Sequence, residues 1–157
     1  MDDLTIARML HVLAVVHWIG GVSMVTLVLL PGLLRALPAA ERLSLFELIE
    51  DRFAFQARIS TLIAGASGFY MTHRLAAWDR FVDPSFWWMH AMVAIWTIFT
   101  VVLFVAEPLF LRRWFHARAT RDPEHTFRLV LRLHIMLLAL SLITVAAGVL
   151  GSHGALY

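Results

Sequence analysis

His11 and His17 lie six residues apart in residues 10–31, LHVLAVVHWIGGVSMVTLVLLP, a stretch long enough to cross a bilayer. Imidazoles bind protons and metals, and an ionisable group inside a membrane is costly enough to point to function. Six further histidines, His73, His90, His116, His125, His134 and His153, are spread along the chain. Two imidazoles on facing helices are what an axially ligated haem iron requires. Imidazole beside thioether is the alternative chemistry, since His and Met suit Cu(I) where Cys is absent. There is no Cys here, so disulfides, thiolate metal sites, iron–sulfur clusters and covalent haem attachment are excluded. Neither a catalytic carboxylate pair nor an activated nucleophile is evident.

The elements that must carry these residues are apolar helices. Hydrophobic residues make up 61% of the chain and charged ones 15%, against roughly 45–50% and about 25% in a soluble domain. Mean hydropathy is +0.77. Every cationic side chain other than His is Arg, and the net charge is only +2, so no basic face for nucleic acid is expected. The N-terminal MDDLTIARML carries acid where a signal peptide carries base, which reads as a retained first span. Four spans are predicted, at about residues 4–30, 53–73, 86–106 and 126–150, within a single transmembrane domain over 1–157. Pro31-Gly32 is expected to end the first, and residues 39–50 to form a short amphipathic helix at the interface. Glu107-Pro108 reads as a kink or stop, while Asp83-Pro84 and Asp122-Pro123 read as helix starts. Arg58 interrupts the second span and is expected to snorkel. The fold class that follows is all-α, an integral-membrane four-helix up-and-down bundle.

Arginine asymmetry orients the bundle. Arg8, Arg74 and Arg80 fall on one side; Arg35, Arg42, Arg52, Arg58, Arg112, Arg113, Arg118, Arg121, Arg128 and Arg132 fall on the other. The arginine-rich side is then cytoplasmic and both termini periplasmic, in a bacterial inner membrane.

Depth follows from a helical rise of about 1.5 Å per residue. From the outer side, His11 lies about 10 Å deep, His17 about 19 Å and His134 about 18 Å. His90 is about 6 Å deep and His73 is at the edge. His17 and His134 are thus expected to be level, as ligands of a central haem, and His11 with His90 or His73 to serve an outer one. His11 and His17 differ by about 120° around their helix, so they belong to different sites. Gly20, Gly21, Gly65, Gly68 and Gly148 could make room for a flat porphyrin, and Arg8 and Arg74, or Arg58 and Arg132, could pair with its propionates. The copper alternative uses Met71, His73, Met89, His90 and Met92 at the outer ends of adjacent helices.

Leu10-His11 and Trp18-Ile19-Gly20-Gly21 resemble the first helix of CopD-like copper-resistance membrane proteins and of HemJ-type protoporphyrinogen oxidases. Trp88-Met89-His90-Ala91-Met92 resembles the third-helix motif of the HemJ type, with Met92 where that motif has lysine. The resemblance implies a helical membrane protein with haem b held through the position of His11, or one that handles copper. His17 and His134 are additions to the pattern.

The combined expectation is a b-type cytochrome with one or two haems, transferring electrons within or across the membrane. Its electron partner would be quinone or a periplasmic protein, and it would work alone, as a homo-oligomer or as a subunit of a larger complex. Copper transport and haem-dependent porphyrinogen oxidation are the alternatives.

Overall fold

The computed structural model describes residues 2–156, apart from the side chains of residues 39 and 40. Four long helices carry the chain: α1 (Asp3–Ala36), α2 (Ala39–Arg74), α3 (Pro84–Arg121) and α4 (Pro123–Ser152). No strand occurs among the described residues. Three of the helices, α1, α3 and α4, are long and apolar enough to cross a membrane; α2, whose apolar half is diluted by Gln56, Arg58 and a run of small residues, is not among them.

Local chemistry sets the ends. Asp2 caps α1 by accepting from the Leu4 amide. Leu37 precedes Pro38, whose ring disfavours a helical predecessor; Leu37 is extended (φ −120°, ψ 144°) and α1 stops. Asp83 and Asp122 accept from the amides of Ser85 and His125 at the starts of α3 and α4, with proline in the first turn as expected. Ala76, in left-handed backbone (φ 49°), turns the chain out of α2.

Three expected interruptions are absent. Pro31 does not end α1, because the helix widens into a π-turn over Val25–Leu29 and continues. There Leu30 donates to the Val25 carbonyl five residues back, and the wider turn gives the proline ring the room that a regular turn denies it. Residues 39–50 are not a separate interfacial helix but the first turns of α2. Pro108 likewise sits inside a π-helical stretch of α3, Val102–Leu111, and the helix runs on to Arg121. At about 1.5 Å per residue, α2 and α3 are each longer than 50 Å, well beyond a bilayer's hydrocarbon.

Consecutive helices run antiparallel, as paired contacts show. Along α1 and α2, Asp3 meets Arg74, His11 meets Ala64, and Gly21 meets Phe53. Along α2 and α3, Gly65 meets Trp96, Arg58 meets Glu107, and Asp51 meets Arg112. Along α3 and α4, Trp88 meets Gly151, Met92 meets Gly148, and Phe115 meets Phe127.

The interior divides into three levels. Trp18 packs edge-on against Phe99 in the middle, with Ala57, Leu103 and Leu138 around them. Phe46, Phe115 and Phe127 form an aromatic triad at the arginine-rich end, and Trp88, Met89 and Ala147 close the other. Four buried hydroxyls bond one turn back along the chain, Thr26 to Val22 O, Thr72 to Gly68 O, Thr126 to Asp122 O and Ser141 to Leu137 O, whereas the buried Thr61 Oγ1 has no partner among the described residues. The outer surface is the reverse, with Leu27, Val28, Leu62, Ile143 and Val149 more than half exposed. Large apolar residues on the outer surface as well as in the core are the arrangement lipid permits and water penalises.

Candidate histidine sites

Small residues on α2 set the seam on which His11 sits. Ala64, Ser67 and Gly68 share one face of α2, and their lack of bulk lets α1 approach closely. The His11 ring fills that space: Nδ1 lies 2.9 Å from the Ala64 carbonyl and 3.2 Å from Ser67 Oγ. A Cβ on Gly68 would stand 3.2 Å from His11 Cε1. A carbonyl only accepts, so Nδ1 donates, and in the neutral ring Nε2 is left as a lone pair. His134 has the same polarity, with Nδ1 donating to Val130 O (2.9 Å) one turn back on α4. This is the orientation in which backbone carbonyls hold imidazoles for ligation through Nε2.

His17 stands differently. It is exposed and makes no hydrogen bond or ion pair among the described residues. Its ring lines an open groove of about 280 Å³ on the flank of the α1–α2 seam, with Leu10, Leu13, Ala14, Gln56, Ile59, Ser60 and Ile63. No residue of α4 contributes to this groove, so His17 and His134 do not share it. Gly20, one turn beyond His17, has nothing within 4 Å of where a Cβ would be and extends the open face.

The outer group is divided. His90 donates its Nε2 to Phe81 O (2.9 Å) in the turn after α2, the opposite ring polarity to His11. Met89 and Met92 of α3 pack into the cluster with Trp88 and Ala147, against α4, and Met92 fills the space before Gly148. His73 is exposed and Met71 half-buried at the end of α2. The five residues of the copper alternative are therefore split between the α3–α4 interior and the outer turn. Of the remaining histidines, His116 meets Glu47 (2.9 Å), while His125 and His153 are exposed. Among the described residues, no three His, Asp or Glu side chains form a group that could hold a metal ion; a haem needs only one or two such ligands.

Most of the glycines expected to admit a porphyrin are instead faced by neighbouring side chains. A Cβ would fall 2.6 Å from Trp96 at Gly65, 2.3 Å from Phe53 at Gly21 and 3.0 Å from Met92 at Gly148. Only Gly20, of those five, faces open space. The space beside four of the five glycines is therefore occupied, and the open space adjoining a histidine is the groove beside His17.

The arginines proposed for propionates have varied surroundings. Arg74 pairs with Asp3 (2.8 Å), which also accepts from Tyr70 (2.7 Å). These contacts, Tyr70 foremost, hold the Asp3 carboxyl below the usual carboxylate range. Arg58 pairs with Glu107 (2.9 Å) and donates Nε to Leu103 O (3.0 Å). Arg8 and Arg132 make no ion pair among the described residues, and Arg132 lines a cavity on α4.

Residues not anticipated include Gln56 and Ser60, the polar walls of the His17 groove, and Glu107 as the partner of Arg58. The last was readable: two opposite charges inside apolar spans on adjacent helices must pair or pay heavily. Gln56 and Ser60, one turn apart, carried no signal until α1 was docked. No family model, curated protein or solved structure matches this chain.

Proposed function

We propose that this chain is an integral-membrane b-type cytochrome of the bacterial inner membrane, with both termini periplasmic and haem held through His17. Four observations of the outer surface, the helix lengths, the self-satisfied hydroxyls and the arginine asymmetry support the membrane reading. α2 joins as the fourth span over residues 53–73 because Glu107 neutralises its Arg58. The first turns of α2 and the last of α3 then extend together past the cytoplasmic surface.

The observation that carries the haem reading is His17. An imidazole without a partner, in an apolar groove at mid-membrane depth, is expensive to keep unless something binds it. Leu10, Leu13, Ile59 and Ile63 would lie against the macrocycle, while Gln56 and Ser60 offer hydrogen bonds at its edge. Haem supplies a one-electron iron couple when bound. The chain's part is to hold the iron through one imidazole, keep water from the groove with aliphatic walls, and fix the register of α1 on α2. His11 and His134 each donate Nδ1 to a backbone carbonyl, which orients the rings. The electron partner would be quinone within the bilayer or a periplasmic carrier.

The test is an absorption spectrum of detergent-solubilised protein made with ample haem, oxidised and then dithionite-reduced. A Soret band that is lost in His17→Ala is expected, with retained helicity as the check on folding. A wild-type protein without a Soret band, or a His17→Ala spectrum equal to wild type, would overturn the proposal.

A further inference from the structure

The charge pattern on α4 points to a second ligand, unrelated to haem. Residues 125, 128, 129 and 132 share one helical face and line a cavity of about 220 Å³. Two guanidiniums, Arg128 and Arg132, stand one turn apart there with the imidazole of His125 alongside. Arg132 and the His125 ring make no hydrogen bond or ion pair among the described residues. Arg128 donates Nε to Glu124 O (3.2 Å) and is 3.9 Å from the Glu124 carboxylate. That carboxylate is already claimed by the buried Arg42, whose Nε and Nη2 also cap the last turn of α1 at Leu37 O and Leu34 O. The cavity is therefore net cationic, with a fork of donors turned outward.

Below it the chemistry changes within one turn. Leu129, Leu133, Met136 and Leu140 continue down the same side of α4, and the last three are exposed. After Arg132 no Asp, Glu or Arg follows. An oxyanion seat directly above a lipid-facing aliphatic stripe matches one class of ligand in both parts. We propose that this cavity binds the phosphate of an anionic phospholipid, whose acyl chain lies along the stripe. The inference rests on the membrane reading above but not on haem. Guanidinium is suited to the task because its planar donors meet phosphate oxygens in pairs.

The full chain, purified in mild detergent, is passed through mixed micelles of phosphatidylglycerol and phosphatidylcholine. Phospholipid retained per protein is then measured by native mass spectrometry. Wild type should retain phosphatidylglycerol preferentially. Each basic group near such a headgroup is worth about fivefold in affinity, so Arg128→Gln/Arg132→Gln should lower that preference by about twenty-fivefold. Arg35→Gln/Arg121→Gln removes equal charge from the same end and should leave the preference nearly intact. If the α4 pair fails to fold, judged by helicity and elution, Arg128→Lys/Arg132→Lys replaces it and should lose most of the preference by losing the paired donors. Three results overturn the proposal: no preference in wild type, equal loss in both glutamine pairs, or competition by inorganic phosphate at matched concentration, which would mark a free-anion site. Carbonate-resistant sedimentation of wild type with membranes separates these failures from a failure of the membrane reading.

Discussion

Pro108 and Arg58 solve one problem between them, and the solution can be measured. In the π-helical stretch each amide donates five residues back, so the carbonyl of Leu103 would be served by residue 108. Proline has no amide hydrogen to give. Arg58 Nε, arriving from α2, donates to that carbonyl at 3.0 Å, and its Nη2 continues to Glu107 at 2.9 Å. Arg58 is thus held by two acceptors on α3, one of which is left open because of the proline. Removing one partner of a fully buried ion pair costs about 3–5 kcal/mol. The Arg58 and Glu107 side chains are 32% and 17% exposed, so Arg58→Met should cost about 1–3 kcal/mol. Pro108→Ala restores an amide to serve Leu103, and Arg58→Met should then cost less by about 0.5–1.5 kcal/mol, the worth of one hydrogen bond. The assay is a double-mutant cycle on reversible unfolding in mixed detergent and SDS micelles, followed by circular dichroism. Additivity within about 0.5 kcal/mol would refute the shared-acceptor argument. Glu107→Gln provides the complement: it should destabilise in both backgrounds alike, because the proline does not touch the ion pair.

Further outcomes follow from the same packing. Gly151→Ala places a Cβ 2.3 Å from the Trp88 ring and should destabilise by about 1–3 kcal/mol in a thermal melt. Gly20→Ala meets nothing and should be neutral or stabilise by up to about 1 kcal/mol. Glu50 lies outside the spans, and its pKa is pushed up from 4.5 to about 7, by burial first and then by Glu107, Asp51 and Glu47, with Arg112 opposing. Since the folded state holds that proton more tightly, its contribution is fully present below pH 4.5 and is lost as pH rises through about 7. Glu50→Gln should therefore leave the midpoint unchanged at pH 4 and raise stability at pH 8 by about 1–3 kcal/mol, as read in melts at the two pH values. Gly68→Leu should displace the His11 ring, seen as altered chemical shifts of labelled histidine while His134 stays fixed.

Apolar runs and proline-capped starts made the helices legible: Asp83-Pro84 and Asp122-Pro123 begin α3 and α4 as their spacing implies. Helix ends were less so, because sequence rules assume regular turns. Pro31 and Pro108 both look like stops until the backbone widens by one residue per turn and absorbs them. Depth along a helix could be counted, but azimuth could not. His17 and His134 come out level by counting, yet His17 turns to a groove walled by α1 and α2 alone. Which way a glycine faces is equally invisible until a neighbour's ring, Trp96 before Gly65 or Phe53 before Gly21, is seen to occupy it.

His11, His17 and His134, three of the imidazoles in the spans, divide by what their Nδ1 does, and that division assigns them different work. On His11, Nδ1 is spent on Ala64 of the adjacent helix, so this ring is a strut between α1 and α2 whatever else it binds. His134 spends it on its own helix, a bond that orients the ring without joining anything. His17 leaves it unspent. A strut that is replaced loosens a seam, whereas replacing a free imidazole that faces an apolar groove removes a polar group with no partner and breaks no contact. Without ligand, His17→Leu should thus be as stable as the natural chain or more so, whereas His11→Leu should be weaker. Equal destabilisation by the two substitutions would overturn this division of roles.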